Sequence, residues 1–230
     1  MTEKSVESNL QQIKEKIADA CRRVGRDVSS VQLMAVTKTV KPERVNEVLG
    51  AGVSLIGENR VQEYLSKRED YLPCEMHFIG HLQTNKIKDI LPFTSCIQSV
   101  DSMRLLKAIA KEAEKRQKRM DLLLEWNVGE EESKTGADRD CICQMLEEAA
   151  CLPWVRVRGL MVVPPPCEPE ESRVYFQKTA ALFEELKETP AGEGMDTLSM
   201  GMSHDFVVAI EEGATIVRVG SALFGERHYQ

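Results

Sequence analysis

No Cys-x-x-Cys pair occurs anywhere in the 230 residues, and the seven cysteines, at positions 21, 74, 96, 141, 143, 151 and 167, are odd in number. This excludes a zinc ribbon and a complete disulfide framework, and predicts reduced thiols in a cytoplasmic protein. Apolar runs are equally short. Nothing approaches the roughly 18 consecutive apolar residues of a membrane span, and the N-terminal stretch holds no apolar core of signal-peptide length. The chain is therefore expected to be unexported, with no membrane partner. Fourteen glycines and nine prolines are too few for a collagenous or low-complexity chain. Positive charge is in deficit: 30 Lys and Arg face 37 Asp and Glu, a net charge of −7. Such a surface repels a phosphate backbone, so no nucleic-acid partner is expected, while a small anion in a local pocket stays open.

With 42% hydrophobic and 29% charged residues, the chain has the material for a packed core. At roughly 150 residues per domain its length allows one large domain or two small ones. Val6, Leu10, Ile13, Ile17, Ala20 and Val24 recur at helical spacing, with Gly25 as a stop, which predicts an opening helix over 6–24. After it, eight short apolar runs each precede a polar helical stretch or the short chain end: VQLMAVTK, VSLIGE, MHFIG, SCIQSV, DLLLEWNV, VRVRGLMVV, DTLSMG and ATIVRVG. The intervening helices are expected over 42–51, 59–68, 84–91, 101–119, 138–151, 169–187 and 203–212. Strands separated by helices need crossovers and favour a parallel sheet covered on both sides. A single α/β domain over 1–230, a (β/α)8 TIM barrel with an extra N-terminal helix, satisfies this without a sheet edge. A doubly wound open sheet is the competing architecture.

Lys38 ends the first apolar run, and alternation places Met34, Val36 and Lys38 on one face. If Val36 points into the barrel, Lys38 points to its mouth, where partial burial would favour the neutral amine that attacks an aldehyde. A snorkelling lysine at a strand end is the alternative. In GMSHDF, Gly201 permits close backbone approach and Ser203 is placed as the N-cap of the next helix. Gly220 and Ser221 follow the last strand. Both pairs lie after strands seven and eight, where barrels often hold phosphate, with ordinary turns as the alternative. Arg218 lies in the apolar run TIVRVG, and a buried guanidinium needs an acceptor. Glu58 is one candidate and a ligand ring nitrogen another, the structural ion pair being favoured. An aldehyde, a phosphate and an acceptor atom together describe pyridoxal 5′-phosphate (PLP).

Other features read as structural. His77 and His81 flank a strand end, where a spacing of four does not converge on a metal. Lys115, Arg116, Lys118 and Arg119 complement a helix C-terminus. Cys141 and Cys143 fall on different faces of a helix.

The blocks AVTKT, GENRVQE, HFIGHLQTNK, NVGEEESKTG, RGLMVVPP, LSMGMSHD and AIEEGATIVRVGSALFG, in this order, resemble the pyridoxal phosphate homeostasis protein family, whose barrel is similar to the N-terminal domain of alanine racemase. The resemblance implies that Lys38 holds PLP as a Schiff base, that Ser203, Gly220 and Ser221 hold the phosphate, and that Arg218 faces the pyridine nitrogen. It further implies that Asn59 and Met200 line the pocket. Met76 and Arg60 depart from the tryptophan and tyrosine frequent in the family.

An arginine beside the pyridine nitrogen disfavours its protonation and weakens the ring as an electron sink. A racemase also needs a second base, and none of Tyr64, Tyr71, Tyr175 and Tyr229 falls at a strand's C-terminal end. The expectation is a PLP-binding protein of vitamin B6 and amino-acid homeostasis with no dedicated reaction, acting as a monomer. Its partners would be PLP, related B6 vitamers and PLP-requiring apoenzymes. Lys134 is a candidate second lysine for the aldehyde, or a surface lysine paired with Glu131. A PLP-dependent amino-acid racemase is the alternative, and a lysine-dependent aldolase or phosphosugar isomerase the more distant one.

Overall fold

The computed structural model describes residues 5–130 and 135–225. At its centre eight parallel strands close into a barrel in chain order: β1 (Gln32–Val36), β2 (Leu55–Glu58), β3 (Glu75–Phe78), β4 (Cys96–Val100), β5 (Met120–Trp126), β6 (Val155–Val162), β7 (Thr197–Met202) and β8 (Ile216–Val219). β8 closes onto β1, with Gln32 opposite Ile216 and Ala35 opposite Val219. The (β/α)8 barrel is therefore the architecture, and the open sheet is excluded. All eight apolar runs form strands.

Around the barrel run α1 (Val6–Arg23), α2 (Pro42–Gly50), α3 (Val61–Lys67), α4 (Ile87–Ile90), α5 (Met103–Arg116), α6 (Arg139–Ala150), α7 (Arg173–Lys187), α8 (Phe206–Glu211) and α9 (Ser221–Phe224). Several are shorter than their periodicity suggests, each for a local reason. A 3-10 turn over Thr84–Lys86 precedes α4. Gln117 takes a left-handed conformation (φ 52°) and stops α5, leaving Lys118 and Arg119 beyond it. Lys118 Nζ then donates to the carbonyls of Leu91 (2.7 Å) and Thr94 (2.8 Å), and Arg116 to that of Lys88 (2.9 Å). Much of the basic cluster thus ties the end of α5 to α4 and the loop after it.

The additional helix α1 is capped by Ser5, whose hydroxyl accepts from Ser8 N–H. Its buried stripe of Val6, Leu10, Ile13, Ile17 and Ala20 rests on α2, α8 and α9, covering the seam where β8 meets β1. Each large apolar side chain so buried stabilises the fold by about 1.5–3 kcal/mol. Arg26, just beyond, donates to the carbonyls of Ile210 and Ala214 at the end of α8.

Alternation divides the strands' side chains between two cores. Ala35, Ile56, Phe78, Ile97, Leu122, Leu160, Met200 and Val217 join the helices in the outer one. Met34, Leu55 and Ile216 form one inner cluster, and Cys96, Leu123 and Met161 another. These inner residues are at most 5% exposed, so the interior is a filled core rather than a pore. At the N-terminal mouth, Asp121 accepts from Arg156 (2.6 and 2.9 Å) and Arg158 (3.0 Å), and Arg158 also reaches Asp196 (2.8 Å). None of the seven cysteines forms a disulfide. Among the described residues no helix is long and apolar enough to cross a membrane.

Candidate functional site

The C-terminal ends of the strands surround a cavity of about 490 Å³. Val36 and Lys38 line it from β1 and its following turn, Asn59 from the end of β2, and Ile79, Gly80 and His81 from the loop after β3. Glu125, Met161 and Val163 close one side, and Met202, Ser203, His204, Arg218, Gly220 and Ser221 the other. A larger cleft of about 670 Å³ lies outside the barrel between α4 and α5, lined by Lys88, Lys111 and Lys115, and contains none of the residues expected to hold PLP.

Lys38, Asn59, Ser203, Arg218, Gly220 and Ser221 all meet at this cavity. Met200 does not. With Ser199 facing inward, alternation turns Met200 outward into the helix-covered core, and a register shift between Ser199 and Met202 brings Met202 to the cavity instead. Lys134 and Glu131 lie outside the described residues.

Gly201 has φ +89°, and a Cβ there would lie 2.5 Å from Ala209 Cβ and 2.9 Å from Phe206 Cα. The close approach at Gly201 is thus to α8, and Gly201 itself does not line the cavity. Ser203 is not a helix N-cap, because α8 starts three residues later, after Asp205 has accepted from Met202 N–H (2.6 Å). The Ser203 hydroxyl oxygen reaches across to the other loop instead, accepting from the N–H groups of Gly220 (3.1 Å) and Ala222 (3.2 Å). Two backbone donors thus converge on one oxygen at the junction of the two Gly-Ser loops. That geometry suits a phosphate oxygen as well as a hydroxyl.

Glu58 is not the partner of Arg218. It faces outward from β2, where its Oε1 accepts from Thr37 Oγ1 (2.6 Å) and Tyr71 OH (3.2 Å), and burial pushes its carboxyl above the usual range. Arg218, 4% exposed, instead donates to Ser199 O (2.6 Å), Ser199 Oγ (2.8 Å) and Val162 O (2.7 Å). Burial pushes it down to about 10, opposed by the charges of Asp205 and Glu125, so it remains cationic near neutrality. Three of a guanidinium's five N–H donors are taken by these protein acceptors, leaving capacity toward the cavity it lines.

Below Arg218 a hydrogen-bonded chain crosses the barrel. Ser199 Oγ donates to Gln98 Oε1 (2.6 Å), Gln98 Nε2 lies 2.8 Å from His77 Nδ1, and His77 Nε2 lies 3.1 Å from Glu75 Oε1. Its polarity is forced from the cationic end. Because Ser199 Oγ accepts from Arg218, its proton goes to the Gln98 carbonyl; the amide N–H₂ then faces His77 Nδ1, and Nε2 carries the ring proton toward Glu75. Among these, Gln98, His77 and Ser199 are all buried.

At the foot of this chain, the His77 hydrogen bond, helped by one from Ser95, holds Glu75 down at about 2 against the opposing effect of burial. A carboxyl depressed in the folded state contributes stability above its ordinary value near 4.5, lost as pH falls from there toward 2. Glu75→Gln is therefore expected to unfold with a shallower acid dependence than the parent protein between pH 5 and 2, read from urea midpoints. Equal slopes would show that this hydrogen bond carries no linkage.

Glu125 is a cavity residue that sequence reasoning missed, as are Met202 and His204. Glu125 is 6% exposed, accepts from Thr135 Oγ1 (2.6 Å), and burial raises its carboxyl above the usual range. Its signal was a carboxylate inside the apolar run DLLLEWNV, the same kind of signal that marked Arg218. Asn59 Oδ1, in contrast, is buried without a hydrogen-bond partner among the described residues.

The profile of the family described as "Alanine racemase, N-terminal domain" matches residues 8–228. A pyridoxal phosphate homeostasis protein of Aquifex aeolicus is 46% identical over 223 residues, covering 96% of this chain and 97% of that one. Its counterpart in Escherichia coli K12 is 34% identical over 228 residues, covering 96% of each. Among solved structures, PipY of Synechococcus elongatus with PLP bound has a TM-score of 0.81 at 33% identity, covering 93% of this chain and 100% of PipY. Alanine racemase of Clostridium difficile shares the fold alone: TM-score 0.72 at 16% identity, with 98% of this chain covering 58% of the racemase.

Proposed function

The chain belongs to the alanine racemase N-terminal domain family, among relatives that are pyridoxal phosphate homeostasis proteins, and from that premise we propose that it binds PLP at the barrel mouth, covalently through Lys38. The observation that carries this reading is the convergence on one 490 Å³ cavity of a lysine amine, a buried guanidinium and two backbone N–H groups aimed at a single oxygen. The orphaned Asn59 Oδ1 adds a polar end in need of a ligand, since an amide can present either its oxygen or its nitrogen. The cavity residues therefore fit the group.

When bound, the cofactor supplies an aldehyde for reversible condensation with primary amines. Lys38 is the amine that forms the Schiff base. Ser203, Gly220 and Ser221 would hold the phosphate, at the junction where the N–H groups of Gly220 and Ala222 meet the Ser203 hydroxyl. Arg218 offers its remaining donor capacity to the ring nitrogen. Its positive charge disfavours a proton there, keeping the ring a weak electron sink.

This electrostatic setting favours a carrier over a racemase. Tyr64 and Tyr71 pack in the helix layer over the outer face of β2, Tyr175 lies on α7, and none of them lines the cavity; Tyr229 lies outside the described residues. The proposal is a cytoplasmic monomer, without a dedicated reaction, that buffers PLP and related vitamers and passes PLP to apoenzymes that require it, with amino-acid pools responding in turn.

Borohydride reduction of the PLP-loaded protein, followed by peptide mass spectrometry, is expected to place the pyridoxyl group on the Lys38 peptide. A pyridoxyl group found only elsewhere, or a protein that takes up no PLP in equilibrium dialysis, overturns the reading.

A further inference from the structure

The turn that carries Lys38 is closed by a hydrogen bond from Val40 N–H to Thr37 O (3.0 Å), with Lys38 and Thr39 at its corners. Thr39 has φ +64°, whereas Lys38 is not among the positive-φ residues. This is the sense of a type II turn, whose third position favours glycine; a β-branched threonine there is strained. Such a conformation persists only where the surroundings hold it.

What holds it comes from a single stretch of chain, the end of β2 and the helix α3 that follows. Thr39 N–H donates to Glu63 Oε1. Lys67, one helical turn on, donates to the same carboxylate oxygen (2.6 Å) and to Val40 O (2.8 Å). On the near side of the lysine, the Thr37 hydroxyl is fixed by Glu58 (2.6 Å). The side chains of Glu63 and Lys67 are only 16% and 19% exposed, while Thr39 itself lies at the surface.

We propose that Glu63, itself fixed by Lys67, is a positioning residue that holds Thr39 in its left-handed conformation and so directs the Lys38 amine into the cavity. The block GENRVQE thereby acquires a physical role beyond Asn59, which lies between the two carboxylates in sequence and lines the cavity. Glu63 does not line the cavity; it acts through the backbone of Thr39. The inference rests on the reading of Lys38 as the PLP-binding amine, but its first test does not.

In the protein without PLP, Glu63→Ala is expected to speed amide hydrogen exchange at Thr39 by tenfold or more, with exchange in β5 and β6 unchanged. Unaltered exchange at Thr39 overturns the proposal whatever Lys38 binds. With ligand, Glu63→Ala is expected to weaken PLP binding about tenfold. Binding of pyridoxine 5′-phosphate, which has an alcohol where PLP has the aldehyde, should stay within twofold. Equal loss for both ligands would mark a structural role and overturn the proposal, as would no loss for PLP. Adding Thr39→Gly removes the strain that Glu63 opposes, so the double variant Glu63→Ala/Thr39→Gly should bring PLP binding back to within about threefold of the parent. No such recovery would likewise overturn it. Should the parent protein give no pyridoxyl-Lys38 on reduction while Thr39 exchange responds as expected, the assignment of Lys38 fails and the turn-holding role of Glu63 stands.

Discussion

Lys38→Ala is expected to abolish the borohydride-stable PLP adduct and the yellow colour of the loaded protein, and to weaken PLP binding at least a hundredfold, about 2.7 kcal/mol. The loss is confined to the covalent anchor. Arg218 and the N–H groups at the Ser203 junction remain, so pyridoxine 5′-phosphate should still bind the variant. Stability should change little, because Lys38 is half-buried at a turn outside both cores, and substitutions at such positions usually stay within about 0.5 kcal/mol. The paired measurements are reductive trapping and a urea melt of the unliganded protein. An adduct of undiminished yield in the variant would move the attachment to another amine.

Gln98→Leu has the largest expected effect on the fold. Gln98 is the middle link between Ser199 and His77, fully buried, and leucine can neither accept nor donate. The substitution orphans two buried groups at once, the Ser199 hydroxyl proton and His77 Nδ1. Each such orphan costs about 1–3 kcal/mol, which puts the destabilisation at about 2–6 kcal/mol. Loss of the link also releases Ser199, which accepts from Arg218 through both its carbonyl and its hydroxyl, so the guanidinium's aim at the cavity should loosen with it. A urea midpoint lowered at constant m-value, together with weaker PLP binding, is the expected pair of results. A shift under about 0.5 kcal/mol would mean that the chain carries no stability.

The barrel was legible because each strand is a contiguous apolar run and each helix a local period; neither needs knowledge of distant partners. Lys38 was legible from its place at a strand's end, and Arg218 from being a charge inside an apolar run. Gln98 in SCIQSV, Ser199 in DTLSMG and Glu125 in DLLLEWNV carry the same mark, a polar group in an apolar setting. What could not be read was how they connect: Ser199 and Gln98 are 101 residues apart, and only closure of the barrel brings them together. Glu58 as a partner for Arg218 failed for a simpler reason, since alternation along β2 sends it to the outer face. Met200 failed because alternation from the inward Ser199 turns it into the outer core, while a register shift in β7, invisible in a residue pattern, delivers Met202 to the cavity. Ser203 lines the cavity, but its expected cap was local, and the contacts it makes are to the loop after β8.

The barrel is stoppered below. Beneath the cavity lie the buried side chains of Met34, Leu55, Cys96, Leu123, Met161 and Ile216, and beneath those the paired charges of Arg156, Arg158, Asp121 and Asp196. A vessel with one opening cannot fill from one end and drain from the other. Under the proposed carrier role, PLP would enter and leave by the same rim, and a recipient pressed against that rim would shut out the surrounding solution while the exchange took place.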